Sequence, residues 1–267
     1  MWFKSKSEIQ KTVAELNYKT DQNGIVNRML RENGAWNSHL ENTKQAILQF
    51  SEEKKGTCVV LGSGWLLDVP LNELSEQFSK VYLVDIVHPA HSKTKVQKYS
   101  NVELIVADIT CGLAGFVHSN KINSVAELCE IVEKQFSPTP NEFFSNMLKI
   151  DFPDFVVSVN LLNQLDILIT EYLIEQYAFK NEELTMLRKS IQAAHLALLP
   201  AESSCLITDF YKREYNLQSD EFLQKENLIF ANLAYNNAES TWLWNFDSTG
   251  TYAENKKIIF EVASFRM

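Results

Sequence analysis

Cysteine is scarce in this sequence, with four residues among 267. No two of the four form a Cys-x-x-Cys pair, which argues against a zinc ribbon or a dithiol redox motif. Cys58 and Cys205 lie inside apolar runs, so we expect them to be buried, unreactive thiols. No metal site is predicted.

Long apolar runs and an excess of positive charge are also missing. No stretch of about 18 apolar residues occurs, so no membrane span is predicted, and the N-terminus lacks the apolar core of a secretory signal. A cytoplasmic protein is the resulting expectation. The net charge of −9 disfavours nucleic acid as a partner. The expected substrate is a small molecule or a side chain, and a small molecule is favoured.

Glycine is rare too, with eight residues, yet two of them flank one serine in Thr57–Pro70, TCVVLGSGWLLDVP. This Gly62-Ser63-Gly64 turn directly follows a short apolar run. Glycine lets the backbone turn sharply after a strand and lets a ligand approach the main chain. The stretch therefore predicts a strand, a ligand-facing turn and a helix.

Short, almost continuously apolar segments alternate with helical patterns after residue 57. Such strands are typical of a parallel sheet covered on both faces. Helices are expected within 3–50 (the last at 38–50, capped by Ser38), and at 69–78, 125–136 and 184–199. Strands are expected at 58–61, 81–87, 102–107, 155–159 and 204–208, and two final β-runs, 241–246 and 257–265, are expected to pair as an antiparallel hairpin.

Acidic residues end the second and third of these strands. Asp85 closes VYLVDIV and Asp108 closes VELIVADIT. An acid in the first position can accept both hydroxyls of a ribose, and Asp108, with the residues beside it, is placed to hold an adenine edge. Ile86 and Ile109 follow the two acids and are predicted to contact the same ligand. The third glycine of the dinucleotide fingerprint is replaced by Leu67, which disfavours a pyrophosphate cradle.

Several strand-end segments together resemble the motifs of class I S-adenosylmethionine-dependent methyltransferases. The segments are VVLGSG, LVDIV, VADIT, DFVVSVNLL and CLITDF, within residues 56–267. More narrowly, VLGSGWLLDVPL, VDIVHP and VVSVNLLNQL resemble bacterial methyltransferase-like proteins of unassigned function. The resemblance implies an α/β fold: a Rossmann-like, doubly wound, seven-stranded sheet, mostly parallel, with an antiparallel C-terminal hairpin. It also implies S-adenosylmethionine as the cofactor, bound by residues 56–267 beneath an N-terminal helical lid, residues 1–55.

This sequence departs from the family pattern at two positions. Val60 stands where the first motif usually has an acid, and Leu66 stands at its usual third glycine. The resemblance implies that Asp68 takes over the contact to the amino group of the cofactor. The alternative is that Asp68 only caps the helix that follows it.

Candidates for the acceptor side come from four regions of the chain. In the resembling fold, the loop after the fourth strand faces the transferred methyl group. The predicted catalytic residues are Asn160, His195 and His39, with Asn160 also at the cofactor, and the predicted substrate contacts are Trp36, Asn163, Gln164, Asp209 and Tyr211. The alternatives are structural: the asparagines cap a helix beginning near Leu165, His195 is a core histidine, and Trp36 packs the helical lid onto the core.

Two rival functions remain open on the sequence. A non-catalytic module that binds S-adenosylmethionine or a related nucleoside is favoured by Val60 and Leu66. A nicotinamide-dependent oxidoreductase is the weaker rival, since Asp85 suits either ribose.

Overall fold

A computed structural model describes residues 6–267. The start of the predicted helical region 3–50, and of the predicted lid 1–55, lies outside the described residues. The described helices are α1 (Lys6–Glu15), α2 (Tyr18–Arg31), α3 (Asn37–Ser51), α4 (Leu71–Gln77), α5 (Ala90–Val96), α6 (Leu113–Ser119), α7 (Val125–Gln135), α8 (Ile167–Tyr177) and α9 (Thr185–Ala197). A π-helical segment spans Glu142–Leu148, and a 3-10 turn spans Tyr235–Asn237.

The strands form one sheet. They are β1 (Thr57–Leu61), β2 (Lys80–Asp85), β3 (Val102–Val106), β4 (Phe155–Val159), β5 (Ser204–Asn216), β6 (Phe222–Asn227), β7 (Ser240–Asp247) and β8 (Lys256–Arg266). Their order is β3-β2-β1-β4-β5-β8-β7, with β6 paired to β5 off this path. Strands β1 to β5 are parallel to one another, and β8 runs antiparallel to both β5 and β7. The predicted doubly wound α/β sheet with its antiparallel hairpin is confirmed.

The sheet has one strand more than predicted. β5 continues to Asn216, beyond the predicted end at residue 208, and its outer half pairs with β6. Every residue of β6 is exposed, and Lys212 of β5 forms ion pairs with Glu214 and with Glu226 of β6. An exposed, charged ribbon has no apolar alternation, so the sequence pattern did not indicate it.

Alternate residues of each central strand enter separate cores on the two faces of the sheet. Cys58 and Val60 of β1 pack with α3, α4 and α5, whereas Val59 and Leu61 pack with α6 to α9. Because the chain crosses from one face to the other between β1 and β4, the carboxyl ends of the strands stay uncovered by these packed helices. None of the helices within residues 6–267 combines the length and the apolar character needed to cross a membrane.

Two predicted helix caps are wrong. Helix α4 begins at Leu71 after Pro70, without a capping side chain, because the Asp68 carboxylate accepts a hydrogen bond from Asn160 instead. Helix α3 begins at Asn37, because a turn ahead of it already has helical geometry, and Ser38 therefore lies inside its first turn.

The asparagines after β4 do not cap the next helix either. That helix, α8, begins at Ile167 rather than near Leu165, and its first turn receives no side-chain cap. Asn160 has a left-handed backbone, with φ of 46°, and Asn163 is buried. The capping alternative for Asn160 and Asn163 is therefore wrong.

The N-terminal helices contact the C-terminal hairpin through hydrogen bonds and aromatic packing. The Trp36 indole donates to the Phe246 carbonyl at 3.0 Å and packs against Trp244. At the end of α2, the buried Glu32 carboxylate accepts from Ser248 N and Oγ at 3.1 and 2.7 Å. These contacts fix the helices that precede β1 against β7 and the β7–β8 connection.

Replacing the Glu32 carboxylate should therefore loosen this attachment. We expect Glu32→Ala to lower the free energy of unfolding by about 2 kcal/mol, since hydrogen bonds to a charged group are lost and a donor of Ser248 is left without its acceptor. Urea unfolding measures the change. Glu41→Ala, on the exposed side of α3, is the matched control and should stay within about 0.5 kcal/mol of the wild type. Equal losses in both variants would contradict the attachment.

Candidate functional site

The glycine turn after β1 lies at the switch point of the sheet, where open α/β sheets bind ligands. Gly62 has φ of 79°, and a Cβ there would lie 3.1 Å from the Val159 carbonyl, so this glycine is required for the close approach of β4. At Gly64 the nearest atoms to an added Cβ are 3.9 Å away. Ser63 Oγ is buried and finds no hydrogen-bond partner among residues 6–267. A Cβ at Gly64 would thus make ordinary van der Waals contacts, and the same turn carries an unsatisfied polar atom at Ser63.

Asp85, at the end of β2, is bound directly to this turn. The Gly64 N–H donates to Asp85 Oδ2 at 2.8 Å, and the Val87 N–H donates to Asp85 Oδ1 at 3.2 Å. Asp85 is only 7 % exposed, and this burial raises its pKa despite the lowering effect of the backbone donors. The sequence predicted that the glycine turn and this carboxylate would meet, and the structure places them in contact.

One oxygen of Asp85 also accepts from a side chain of α2. Gln22 Nε2 donates to Asp85 Oδ1 at 3.0 Å and to the Val87 carbonyl at 3.1 Å, and the Trp65 indole donates to the Gln22 carbonyl at 2.9 Å. A carboxylate offers about four acceptor positions. Gln22 therefore occupies one of the positions that a pair of ribose hydroxyls would use.

Tyr18, one helical turn before Gln22, is the second α2 residue at these strand ends. Burial raises the pKa of its hydroxyl, and the charges of Asp108 and Asp85 raise it further, so the hydroxyl lies near both carboxylates. No sequence motif marks Tyr18 or Gln22. Their spacing of four residues, which places both on one face of α2, is the signal that could have indicated them.

Asp108, at the end of β3, holds the start of the next segment. Its Oδ1 accepts from Thr110 N at 2.9 Å and from Thr110 Oγ1 at 2.5 Å, and the Thr110 hydroxyl accepts from the Ala114 N–H in α6. Ile86 and Ile109 are both buried next to the two acids. The carboxylates at the ends of β2 and β3 thus lie at the same edge of the sheet, as the parallel order requires.

A second polar group lies where β1 and β4 end, next to the point in β5 where its pairing with β4 stops. Asn160 Nδ2 donates to Asp68 Oδ2 at 2.7 Å, and the Thr208 hydroxyl donates to Asn163 Oδ1 at 3.4 Å. Asp209, 2 % exposed, is hydrogen-bonded to Asn163, and burial raises its pKa to about 7, with the Asp68 charge adding to the effect. Four predicted residues, Asp68, Asn160, Asn163 and Asp209, are thereby brought together.

His39 reaches the same group from α3, but not in a form suited to the predicted base. Its ring stacks on Trp244 at 3.9 Å, and its Nδ1 accepts from the Trp242 indole at 3.1 Å. Burial lowers the pKa of His39 to about 3. The neutral ring therefore carries its hydrogen on Nε2, 3.5 Å from Asn160 Nδ2, and its accepting nitrogen is already engaged.

His195 lies on the other face of the sheet from this group. Its Nε2 is 2.8 Å from Ser158 Oγ, and burial lowers its pKa to about 4. It lines a cavity of about 10 Å³ together with Thr110 and Leu165, the space of roughly one water molecule. Asp209, in contrast, lies on the same side of β5 as Cys205 and Ile207, because side chains alternate along a strand. Cys205 and Ile207 belong to the core that includes α3. The geometry favours the core-histidine alternative for His195.

The three remaining predicted substrate contacts occupy different surroundings. Trp36 is 1 % exposed inside the aromatic cluster with Trp244, as its packing alternative expects. Gln164 is partly exposed in the loop after β4. Tyr211 lies beyond a bulge in β5, packed against Tyr235. The contact assignments for these residues stay predictions.

Comparisons with known proteins give distant matches of fold. No protein-family model and no curated protein matches the sequence. Among solved structures, the N-methyltransferase NodS from Bradyrhizobium japonicum WM9, in complex with S-adenosylhomocysteine, is 8% identical over 88% of this chain and 90% of its own, with a TM-score of 0.39. A Burkholderia thailandensis 1,6-didemethyltoxoflavin-N1-methyltransferase is 10% identical over 98% and 92%, with a TM-score of 0.38.

A third match is magnesium protoporphyrin IX methyltransferase from Synechocystis PCC 6803 with bound S-adenosylmethionine. It is 12% identical over 84% of this chain and 79% of its own, with a TM-score of 0.36. All three TM-scores lie below 0.5. Functional inference therefore rests on the residues of this chain.

The raised pKa of Asp209 makes stability depend on pH. An unfolded aspartate ionises near pH 4, whereas folded Asp209 keeps its proton until about pH 7. The folded state binds more protons in this window, so the free energy of unfolding falls as the pH rises from about 4 to about 7. Asp209→Asn should remove this fall. Relative to wild type, the variant should gain a few kcal/mol, at most about 4, between pH 4 and pH 8.

Denaturant unfolding of both proteins at several pH values measures this gain. The control is Asp220→Asn, since Asp220 is an exposed residue that forms an ion pair with Lys257. This variant should follow the wild-type pH dependence. A wild type and an Asp209→Asn variant with parallel pH profiles would contradict a protonated Asp209 in the folded state.

Proposed function

We propose that this protein is a class I methyltransferase that uses S-adenosylmethionine to methylate a small molecule. The observation that carries the proposal is the 2.8 Å hydrogen bond from the Gly64 N–H to Asp85. It brings the turn after β1 and the acid after β2 together at the switch point, where open α/β sheets bind ligands.

The residues present fit this cofactor in their chemistry. Asp85 would accept from the ribose hydroxyls, and the Asp108–Ile109 backbone with Ile86 would hold the adenine. Asp68 would accept from the cofactor's amino group, and Ser63 Oγ, which is buried and finds no partner within residues 6–267, would contact the cofactor from the glycine turn. A Cβ-sized group beside Gly64 would contact the nearest chain atoms at 3.9 Å, which is ordinary van der Waals distance. S-adenosylmethionine, when bound, supplies a methyl group on a positively charged sulfur.

The contribution of the chain is then to orient two ligands and to keep water away from them. Helix α2 covers the ends of β2 and β3 through Gln22 and Tyr18. Asn160 and Asp209 lie at the ends of β4 and β5, on the side from which the acceptor would approach. Gln22 must leave Asp85 when a ribose takes its place.

A non-catalytic binding module is the second candidate, and one observation favours it. Asp85 already has three hydrogen bonds from its own chain, including one from Gln22. That arrangement suits a protein that is closed until a nucleoside opens it. Calorimetric titration with S-adenosylmethionine, S-adenosylhomocysteine and NAD, followed by assay for S-adenosylhomocysteine formation with a metabolite pool, separates the candidates. Binding without turnover favours the module, and preference for NAD overturns the methyltransferase.

Loss of the Asp85 carboxylate should weaken cofactor binding. We expect Asp85→Ala to raise the calorimetric Kd for S-adenosylmethionine by about 5- to 150-fold, which corresponds to about 1–3 kcal/mol for a lost charge-assisted pair. Asp151→Ala is the control, because Asp151 is exposed and precedes β4 at the opposite end of that strand. An unchanged Kd in Asp85→Ala would show that the ribose is held elsewhere.

Removal of the Gln22 amide should have the opposite effect. Gln22→Ala deletes the hydrogen bonds that must break before a ribose reaches Asp85, so we expect S-adenosylmethionine to bind about fivefold more tightly, or about 1 kcal/mol. Gln45→Ala, at an exposed position of α3, should bind as the wild type does. Weaker binding by Gln22→Ala would mean that Gln22 contacts the bound cofactor instead of competing with it.

A further inference from the structure

Hydrogen-bond acceptors outnumber donors where β1, β4 and β5 end. Asp209 Oδ1 and Asn160 Oδ1 are both buried, and neither finds a partner among the residues that the structure describes. The carboxylate of Asp68 lies beside them, bound to Asn160 Nδ2 at 2.7 Å. A buried acceptor without a donor costs about 1–3 kcal/mol. Two such atoms from two different strands, next to a further carboxylate, point to a ligand that supplies hydrogen atoms.

No donor among the described residues reaches Asp209 Oδ1 or Asn160 Oδ1. Asn160 donates to Asp68, and Asn163 is bound to Asp209. His39 holds its Nε2 hydrogen 3.5 Å from Asn160 Nδ2, which is itself a donor. The chain therefore leaves Asp209 Oδ1 and Asn160 Oδ1 for a donor from outside.

The charge around Asp209 is negative. The groups that act on it are its own burial, the Asn163 hydrogen bond and the charge of Asp68. The charge of Lys44 in α3 lowers the pKa of Asp68 against the larger effect of burial, and His39 is uncharged at neutral pH because burial lowers its pKa to about 3. A cationic ligand would offset two neighbouring carboxylates, whereas an anionic one would add to their repulsion.

We propose that this group of residues receives the methyl acceptor as an amine, and that Asp209 takes the proton that the amine must lose. The inference rests on the proposed function and adds to it the chemical class of the substrate. Asp209 and Asn160 each accept one N–H of the incoming ammonium group, and Asp68 stabilises its charge from the rim.

The proton transfer is required by the chemistry of nitrogen. An alkylammonium has no lone pair, so one N–H must pass its proton to the Asp209 carboxylate before reaction. The nitrogen lone pair then forms the new bond to the methyl carbon while the bond from that carbon to sulfur breaks, and its electron pair stays on the sulfur. The positive charge moves from sulfur to the methylated nitrogen, and the proton held by Asp209 passes to water. A carboxyl group with a pKa of about 7 is matched to proton transfer near neutral pH.

The test uses the ligand-free protein and the smallest alkylammonium, methylammonium chloride. The carbon resonance of the Asp209 carboxyl group, assigned by its loss in Asp209→Asn, is titrated with pH in the presence and absence of methylammonium at constant ionic strength. Sodium acetate and methanol serve as the anionic and neutral comparison ligands. We expect methylammonium at saturation to lower the pKa of Asp209 by about one unit, because it binds the ionised carboxylate about tenfold more tightly than the neutral acid.

A second readout uses thermal unfolding at pH 8. Methylammonium should raise the Tm of the wild type and of the control Asp220→Asn, and it should leave the Tm of Asp209→Asn unchanged. No pKa shift with methylammonium, an upward shift with acetate, or equal thermal stabilisation of Asp209→Asn would each overturn the inference.

Failure of this inference can be told apart from failure of the proposed function. S-adenosylmethionine binding is measured by calorimetry on the same preparations, and Asp209→Asn should keep the wild-type Kd within about twofold, since a cofactor bound through Asp85 does not use Asp209. If the cofactor binds but methylammonium has no effect, only the amine class is lost. If the cofactor does not bind, the methyltransferase proposal fails whatever methylammonium does.

Discussion

The hydrogen bond from the Gly64 N–H to the Asp85 carboxylate is the contact on which the rest of the site depends. It fixes the turn after β1 to the end of β2, and Gly62 at the same turn allows the backbone to pass close to β4. Three strand ends thereby acquire a fixed geometry from two glycines and one acid. With a bulkier residue at position 62, the turn would meet the Val159 carbonyl, and β1 and β4 would separate just where their ends must converge.

The buried polar residues on the two faces of the sheet have different hydrogen-bond partners. On the face of α6 to α9, His195 contacts Ser158 and lies beside a space for about one water molecule. On the face of α3, Asp68 and Asp209 lie near each other, and His39, which is neutral because burial lowers its pKa, accepts a hydrogen bond from Trp242. Burial affects both histidines alike, but the unsatisfied carboxylate and amide oxygens occur on the α3 side.

Much of the fold followed from sequence pattern, because short apolar strands alternating with helices have few alternatives to a parallel sheet. The meeting of Gly64 with Asp85 also followed, since parallel strands end at one edge. Asp68 was ambiguous between a cap and a ligand contact, and only the position of Asn160, 92 residues later, decides which partner it takes. Gln22 and Tyr18 were not predicted as site residues, because their place beside the site depends on tertiary contacts of α2 and no local sequence motif marks them. The ribbon of β5 and β6 was missed because its charged, exposed residues resemble a loop.

Three buried carboxyl groups at one edge of a sheet require a physical reason. Burial raises the pKa of Asp68, Asp85 and Asp209 above the ordinary value, so the folded protein is less stable at neutral pH than it would be with neutral side chains of the same shape. Strain and unfavourable charge of this kind persist in proteins mainly where a site uses them. At Asp85 the cost is partly offset by two backbone N–H groups and the Gln22 amide. At Asp209 one oxygen has no such compensation within the described residues. The carboxylate that the fold satisfies least is thus the one from which a ligand gains most, and this difference supports the proposal that the well-held acid binds the cofactor and the poorly held acid takes a proton.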